Sequence, residues 1–341
     1  MSINSIEKLK NYIDLTDSEL SWDEEGDNTL PLLISDNIIP LLNIDAIRKQ
    51  FVPTKEENED TQGNLDPQKE ESYTPSPRLI HRYKNRAAFL VTDMCFAYCR
   101  HCFRRRFAGS LKGPATKEEI LKASGYLKEH NEIKEVLLTG GDIFTLSDDK
   151  LDELLSIFKE YRKDIVYRLC TRTLLSNPDR FTPSLFSILR KNSYGSPFYL
   201  MTQFNHPDEI TTKAIKAIEE FAFLGIPIMN QCVLLKGVND SVEVQVELCN
   251  KLLQNRIKPY YLFQGDLVKG TKHLRVALSK GLMIEEEMRK ELSGLSMPQY
   301  TIDLPEGGGK VILTKDHIKG LKNNIWEFTT PDGDIRHYPE D

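Results

Sequence analysis

The chain has 341 residues and a formal net charge of -6, from 45 basic and 51 acidic side chains. This balance excludes a protein that binds nucleic acid or a membrane surface through a general basic excess, so any basic site must be local. Its six cysteines are too few for a disulfide scaffold. No stretch approaches the roughly 18 to 20 apolar residues of a membrane span, and the N-terminus lacks the apolar core of a signal peptide, so we expect a cytoplasmic protein.

The first 75 residues predict an N-terminal helical segment followed by an acidic linker. The stretch 6–13 has a helical pattern, IEKLKNYI, and an apolar run follows at 32–44. Residues 54–79 are polar, acidic and proline-bearing, which favours an extended connection over a place in the core. We therefore expect a domain boundary near residue 75.

After that boundary, short apolar runs alternate with amphipathic helical stretches. The apolar runs predict buried strands at 87–92, 135–142, 165–173, 198–207, 226–235 and 258–266. Such alternation indicates a parallel sheet covered by helices. We expect an α/β fold with an incomplete (βα)6 barrel over residues 76–285, and an open doubly wound sheet is the alternative. Residues 286–341 would form a C-terminal segment, in which PDGD (331–334) predicts a hairpin turn.

Polar motifs follow most of the predicted strands, namely TDMC, TGGD, CTRT, QFNHP and QGD. In parallel α/β folds, ligands bind at the carboxyl ends of the strands. These motifs therefore predict that one face of the barrel carries the active site.

Cys95, Cys99 and Cys102 form a C-x3-C-x2-C motif directly after the first predicted strand. A structural zinc needs four ligands, no second CxxC occurs, and His101 could complete the set only with awkward geometry. Three thiolates can instead hold a [4Fe-4S] cluster with one iron open to a non-protein ligand. This spacing resembles the radical S-adenosylmethionine (SAM) superfamily; zinc and unliganded thiols are the alternatives. The remaining cysteines are expected to be buried apolar side chains: Cys170, Cys232 and Cys249.

Gly140, Gly141 and Asp142 follow the second predicted strand as TGGD. Glycines let the backbone approach a ligand closely, and a carboxylate can pair with an ammonium group. In the radical SAM superfamily a comparable motif contacts the amino group of the cofactor's methionine part, so the resemblance implies a cofactor-binding role. An ordinary turn is the alternative.

Lys310 follows three glycines in DLPEGGGK. A lysine on backbone with so little side-chain bulk suits an amine that reaches a planar cofactor and forms a Schiff base. The motif is not a P-loop, because Val311 follows the lysine and the next run is strand-like. An exposed lysine on a surface loop is the alternative.

Taken together, the motifs resemble the lysine 2,3-aminomutase family, radical enzymes that also use pyridoxal 5'-phosphate. The resemblance covers most of the chain, from about residue 72 to the C-terminus, with a weaker similarity in the N-terminal helices. It is carried, in order, by HRYKNR, CFAYCRHCFRRRFAG, LLTGGD, QFNHPDEIT, NQCVLLKGVND, PYYLFQGD and DLPEGGGK.

The resemblance implies a role for each matching residue. The three motif cysteines would bind the cluster, and Lys310 would form the internal aldimine with pyridoxal phosphate. Arg82 matches the phosphate-binding position with Arg86 as support, and Arg104 matches the arginine that holds the substrate carboxylate. Arg105 and Arg106 would pair with nearby acidic residues.

In the family that the sequence resembles, two carboxylates determine which amino acid is the substrate. Asp266 and Asp303 match the aspartates that bind the ε-ammonium group in lysine-specific members. Glutamate would be rejected, whereas arginine could also meet two carboxylates. A helix N-cap for Asp266 and a turn for Asp303 are the alternatives.

The implied reaction converts L-lysine to β-lysine by 2,3-amino migration. Lysine displaces Lys310 to form the external aldimine, a 5'-deoxyadenosyl radical removes a β-hydrogen, the nitrogen migrates and hydrogen returns. The protein would orient the reactants and exclude side reactions. We expect an amino-acid substrate and an external electron donor of flavodoxin or ferredoxin type, no nucleic acid and no membrane, with a homo-oligomer left open.

Several positions depart from the family pattern. Ser241 stands where some members have a zinc-binding cysteine, and no cysteine follows Cys249, so no structural zinc is expected. Gln203 stands where the family often has histidine. Glu306 replaces the first glycine of a four-glycine run and could put a carboxylate near the pyridoxal site. The short C-terminus also resembles that of relatives that make β-lysine for attachment to elongation factor P.

Other functions stay open at this level. A 2,3-aminomutase acting on arginine or another amino acid is the first alternative. A radical RNA-modifying enzyme or basic RNA-binding module centred on RHCFRRRF is another, although it leaves Lys310, Asp266 and Asp303 unexplained. An inactive iron-sulfur or zinc protein is the third.

Overall fold

The computed structural model describes residues 2–26, 29–330 and 333–340. Helices α1 to α11 span Ile6–Leu9, Asp17–Leu20, Asp45–Phe51, Lys55–Glu59, Lys117–Glu129, Asp148–Arg162, Thr173–Ser176, Pro183–Ser193, Thr212–Phe223, Val242–Gln254 and Leu278–Glu291. Strands β1 to β14 span Ser2–Ile3, Ile34–Ser35, Leu79–Tyr83, Arg86–Thr92, Glu135–Gly140, Val166–Thr171, Phe198–Thr202, Ile228–Leu234, Ile257–Gln264, Gln299–Leu304, Gly309–Ile312, Ile318–Lys322, Ile325–Thr329 and Ile335–Pro339. Short 3-10 helices occupy Ile39–Leu41, Glu70–Tyr73, Ile143–Thr145, Pro178–Arg180, Pro207–Glu209, Lys272–Leu274 and Pro305–Gly307.

The largest sheet within these described ranges has nine strands, from β3 through β11 in sequence order. Strands β4 to β10 pair in parallel, and β3 and β11 pair antiparallel with the outer strands β4 and β10. An order without reversal is that of a barrel wound in one direction, whereas a doubly wound sheet reverses its strand order. Because β3 and β11 are the two free ends of this order, the barrel is incomplete, as predicted.

The six predicted strands are confirmed as β4 to β9, and each is followed by a helix. Several of these helices begin at side-chain caps, for example Thr116 with Glu119 in a capping box at α5 and Thr211 at α9. β10 is a further parallel strand that the sequence analysis left in the C-terminal segment. Tyr300 and Thr301 of β10 are buried while its ends are exposed, so its apolar signal is short.

The core lies between the outer face of the barrel and the surrounding helices. Alternate strand residues such as Val136 and Leu138 of β5 are fully buried in it. The N-terminal segment joins the same core through side chains such as Ile34 and Phe51. Division of the chain into domains at residues 75 and 285 stays a prediction.

The stretch 54–79 is not an extended connection, and that expectation was wrong. It contains α4 and the 3-10 turn Glu70–Tyr73, and several of its polar side chains are buried. Those side chains are Glu57, Asp60, Gln68 and Glu70. Acidic composition alone could not reveal this burial, because the arginines and backbone N–H groups that pair with these side chains lie far away in sequence.

The C-terminal strands β12, β13 and β14 form a separate antiparallel sheet. Thr329 of β13 pairs with Ile335 of β14, so the chain turns back between them as the PDGD motif predicts. Pro331 and Asp332 of that motif lie outside the described residues. Among the helices of the described ranges, none is both long and apolar enough to cross a membrane.

A buried ion group joins the N-terminal segment to the barrel. Glu57 accepts hydrogen bonds from Arg100 Nε and Nη2 at 2.8 and 2.6 Å and from Arg105 Nη2 at 2.7 Å. All three side chains are almost completely buried. The two guanidinium groups hold the pKa of Glu57 below its usual value although burial opposes this.

Replacing Glu57 by alanine should therefore destabilise the protein by about 3–5 kcal/mol, since two buried cations lose their counterion. Urea unfolding followed by circular dichroism measures the change. Glu59→Ala is the matched control: this exposed side chain of the same helix pairs with Lys55 only at 4.0 Å, so its effect should stay within about 0.5 kcal/mol. Equal effects of the two substitutions would contradict the assigned role of Glu57.

Candidate active site

The three motif cysteines lie in the long loop between β4 and α5, and the base of that loop is closed by Asp93. The Asp93 carboxylate accepts hydrogen bonds from the backbone N–H groups of Lys112 and Gly113, both at 2.9 Å. The middle of the loop is held by Arg100, whose guanidinium also donates to the carbonyl groups of Leu30 and Pro31. The loop is thus fixed at its ends and at its centre.

All three cysteine side chains are half-buried, and Cys95 and Cys102 pack against Leu30 and Tyr98. Burial and the neighbouring Cys99 raise the pKa of Cys102 to about 11. Burial, followed by the Asp142 carboxylate, raises the pKa of Cys95 well above its usual value. The Cys95 and Cys102 thiols therefore stay protonated at neutral pH unless a positively charged group such as iron binds and favours the thiolates.

Three thiolates are a donor set that can hold a [4Fe-4S] cluster with one iron open. Within the described residues, no three His, Cys, Asp or Glu side chains stand close enough together to hold one metal ion. In a cubane cluster each thiolate binds a different iron, so the sulfur atoms stand further apart than the ligands of one zinc. His101, the alternative fourth ligand, is half-buried with Nε2 2.9 Å from Gln203 Nε2, and burial lowers its pKa.

The glycines of TGGD bring the end of β5 against the cysteine loop. Gly140 has a φ of +103°, and a Cβ atom there would lie 2.7 Å from the Thr92 carbonyl oxygen. A Cβ atom on Gly141 would overlap the backbone of Met94, the residue before Cys95. Both positions therefore require glycine for a close approach of backbone to backbone, rather than only for an ordinary turn.

Asp142 is buried and fully engaged by the end of β6. Its carboxylate accepts hydrogen bonds from Thr171 Oγ1 at 2.8 and 2.9 Å and from the backbone N–H of Arg172 at 2.7 Å. Burial raises its pKa despite these bonds. The side chain thus lies beside Cys95, where the cofactor of a radical SAM enzyme would be expected, and it also connects β5 to β6.

Arg172 is a buried side chain beside the cysteines that the sequence analysis did not assign. Its Nη1 atom lies 2.8 Å from Cys99 Sγ. Its Nη2 atom donates to Gln50 Oε1 at 2.6 Å and to Glu209 Oε1 at 3.0 Å. The polar motif CTRT after a strand was the available signal, but no local pattern indicates Cys99 as the partner of Arg172.

Lys310 and Asp303 face each other across the β10–β11 hairpin as a directly opposed pair. Lys310 Nζ lies 2.5 Å from Asp303 Oδ2 and 4.3 Å from the centre of the Phe263 ring. Burial lowers the pKa of Lys310, while the carboxylate opposes that change. Tyr83 donates its hydroxyl to the other oxygen of Asp303 at 3.3 Å. Lys310 is therefore not an exposed loop lysine.

Asp266 lies close to this pair and belongs to the same charged group. Burial, followed by the charge of Asp303, raises the pKa of Asp266 to about 6. Its carboxylate accepts a hydrogen bond from Gln68 Nε2 at 2.5 Å. Neither alternative assigned to these aspartates applies: Asp266 lies outside the N-cap positions of the described helices, and Asp303 is in β10.

Arg82 has donor groups available for a ligand. Its Nη1 atom donates to Gln68 Oε1, whereas Nε and Nη2 are buried without a hydrogen-bond partner. Arg86 lies over the ring of Tyr83 at 3.8 Å and contributes positive charge near Lys310. Unpaired, buried N–H groups of a guanidinium fit the phosphate of pyridoxal phosphate.

Arg104 is held by two neighbours. Its Nε and Nη2 atoms donate to Glu70 at 2.7 to 3.2 Å, and Nη1 donates to Thr139 Oγ1 at 3.1 Å. Its charge acts on Asp266, which ties it electrostatically to the group around Lys310. Arg105 pairs with Glu57, and Arg106 with three carboxylates of the N-terminal segment, those of Asp66, Glu70 and Glu71. Arginines paired in this way do not form an RNA-binding surface.

The other departures from the family pattern have local structural explanations. Glu306 has a left-handed backbone with φ 60°, and its exposed carboxylate lies 3.4 Å from Lys69 rather than against Lys310. Ser241 caps α10. Cys232 and Cys249 are buried as expected, whereas Cys170 is half-buried near Arg104.

Gly141→Ala should displace Met94 and Cys95, because the new methyl group overlaps the Met94 carbonyl. We expect a loss of about 1–3 kcal/mol in unfolding free energy and reduced iron content after reconstitution. Gly125→Ala in α5 is the control, since a Cβ atom there meets nothing within 4 Å, and it should be neutral or stabilising. Iron analysis and urea unfolding measure both effects; full iron content in Gly141→Ala would contradict the steric argument.

Comparison with known proteins identifies the family. A model of the radical SAM superfamily matches residues 89–248. The L-lysine 2,3-aminomutase of Fusobacterium nucleatum is 39% identical over 93% of this chain and 75% of its own length. That of Clostridium subterminale is 39% identical over 95% of this chain and 80% of its own length. The glutamate 2,3-aminomutase of Clostridioides difficile is also 39% identical, over 98% of this chain and 79% of its own length.

Overall identity does not separate lysine from glutamate as substrate, because relatives with both names reach the same value. It does establish the reaction class, since all three are 2,3-aminomutases that match most of this chain. The chain therefore belongs to the lysine 2,3-aminomutase family of radical SAM enzymes, it is an isomerase of the aminomutase type, and the cofactors of that family are a [4Fe-4S] cluster, SAM and pyridoxal phosphate.

Proposed function

We propose that this protein converts L-lysine to β-lysine. One observation carries the choice of lysine: two carboxylates, Asp266 and Asp303, stand beside the amine of Lys310. A substrate bound at this lysine would present the end of its side chain to these two carboxylates. Such a site favours a distal ammonium group and disfavours the carboxylate of glutamate.

Each cofactor has residues that suit it in this proposal. Cys95, Cys99 and Cys102 would hold the cluster, and Gly140, Gly141 and Asp142 would lie against SAM. Lys310 would bind pyridoxal phosphate, with Arg82 and Arg86 at its phosphate. When bound, the cluster and SAM supply an organic radical, and pyridoxal phosphate supplies a ring that stabilises unpaired electron density on the substrate.

The protein's own contribution is to bind and orient the amino acid. Arg104 would receive the substrate carboxylate through its remaining N–H groups, while Glu70 and Thr139 fix the guanidinium. Asp266 and Asp303 would hold the opposite end of the substrate. Fixing both ends positions the β-carbon for hydrogen removal and limits side reactions of the radical.

The proposal also covers the cell compartment and the source of the electron. We infer a cytoplasmic enzyme that receives its electron from a flavodoxin-type or ferredoxin-type donor. Arginine stays the second candidate substrate, since a guanidinium group can also meet two carboxylates.

Lys310→Ala should abolish β-lysine formation in an anaerobic assay with lysine, SAM, pyridoxal phosphate and a strong reductant. Borohydride reduction followed by peptide mass spectrometry should find a pyridoxyl label on Lys310 in the parent protein. Lys315→Ala is the control, because Lys315 is exposed and pairs with Glu286, and its activity should match that of the parent. A label on another lysine would refute the assignment.

Asp303→Ala should lower kcat/KM for lysine by at least about 30-fold, which corresponds to the roughly 2 kcal/mol lost when a buried charge pair is broken. Asp316→Ala, at an exposed position in the same C-terminal segment, should have little effect. Turnover of arginine with lysine inert would leave the aminomutase assignment intact and refute the choice of lysine.

Activity should fall on the acid side as Asp266 becomes protonated. With its pKa raised to about 6, the carboxylate is charged above that pH and neutral below it, so its attraction for an ammonium group is lost as pH falls. We expect kcat/KM for lysine to drop by up to about tenfold per pH unit below 6. Asp266→Asn should remove that acid limb; an unchanged pH profile in this variant would show that another group controls it.

A further inference from the structure

The Arg172 side chain has a fixed orientation that neither the family comparison nor the proposed function uses. It lies between β6 and α7, as the N-cap residue of α7, and is almost fully buried. Its guanidinium lies over the Phe51 ring at 4.7 Å. A buried cation of this kind requires a counterion and aligned hydrogen-bond acceptors. The residues next to Arg172 supply both.

One end of the guanidinium is held by a polar network. Nη2 donates to Gln50 and Glu209, and Gln50 Nε2 itself donates to Glu209 at 2.6 Å. The second Glu209 oxygen accepts the backbone N–H of Asn205 at 2.9 Å. Glu209 is completely buried, so it neutralises Arg172 without contact with solvent. These bonds fix the plane of the guanidinium.

The other end points at a cysteine of the motif. With Nη2 fixed, Nη1 lies 2.8 Å from Cys99 Sγ. The sulfur has no proton when it binds iron, so it is then the acceptor and Arg172 the donor. The Arg172 backbone N–H meanwhile donates to Asp142. One residue therefore connects the cysteine loop, β5 and β6.

We propose that Arg172 is a positioning residue that donates a charge-assisted hydrogen bond to the Cys99 thiolate and thereby raises the reduction potential of the bound cluster. Reduction by an external one-electron donor adds one negative charge to the cluster. A cationic N–H donor at a ligand sulfur stabilises that added charge more than it stabilises the oxidised state. The proposal rests on Cys99 as a cluster ligand and is independent of the amino acid that the enzyme rearranges.

The test is an anaerobic redox titration of the reconstituted cluster, followed by electron paramagnetic resonance, without SAM or amino acid. Arg172→Gln should shift the midpoint potential to more negative values, so that less of the reduced signal forms at a fixed dithionite concentration. Because this variant leaves Glu209 buried without its counterion, the charge-neutral double variant Arg172→Gln with Glu209→Gln is measured beside it and should shift in the same direction.

Glu209→Gln alone is the sign control. It removes a buried negative charge and retains the donor to Cys99, so its midpoint should move to more positive values. Iron content shows that each variant holds a full cluster. An unchanged midpoint in the double variant with full iron content overturns the proposal.

A direct role of Arg172 in holding the SAM carboxylate is the competing explanation. Titration of each variant with SAM distinguishes the two: weaker SAM binding with an unchanged midpoint assigns Arg172 to the cofactor and overturns the proposal. Retention of the cluster by Cys99→Ala would also overturn it, by removing its premise. The redox and SAM titrations contain no amino acid, so failure of this inference is distinguishable from failure of the choice of lysine as substrate.

Discussion

The buried carboxylate of Glu57 is the interaction on which the geometry of the cysteine loop depends. Two arginines of that loop, Arg100 and Arg105, lose their hydration on burial, and this cost is offset only if the counterion and carbonyl acceptors are in place. Arg100 uses the carbonyls of Leu30 and Pro31, and Arg105 uses that of Gly270. The N-terminal segment is therefore part of the site, because it supplies the groups that make burial of the loop tolerable.

The same segment also organises the loop after β9. Asp60 accepts the backbone N–H groups of Gly270, Thr271 and Lys272 at 2.8 to 3.1 Å. Asn64 exchanges backbone hydrogen bonds with Leu267 and Lys269. The carboxylates of residues 57–71 thus act on both loops that carry proposed ligand-binding side chains. This arrangement explains how an arginine-rich motif occurs in an acidic protein without forming a basic surface.

The sequence predicted the barrel well because its strands are short apolar runs with polar ends, a signal that depends only on neighbouring residues. The three cysteines, TGGD and Lys310 were recognisable for the same reason: each motif is local. Gln68, Glu70 and Arg172 were not, since each acquires its place through a partner distant in sequence. Gln68, for example, bridges Arg82 and Asp266, which are 184 residues apart. The burial of residues 54–79 was missed on the same grounds.

The register of the β10–β11 hairpin determines which side chains face each other around Lys310. Because Asp303 and Lys310 are directly opposed in the β10–β11 hairpin, a slip of one residue would turn Lys310 to the opposite face of the sheet. The turn between them is short. Glu306 and Gly309 have positive φ angles, which allow the chain to reverse direction over so few residues. The lysine proposed to bind the cofactor thus pairs with an aspartate proposed to bind substrate. A Lys310 nitrogen bound to that cofactor would compete less for Asp303, and the carboxylate would then be available to the ammonium group of the substrate.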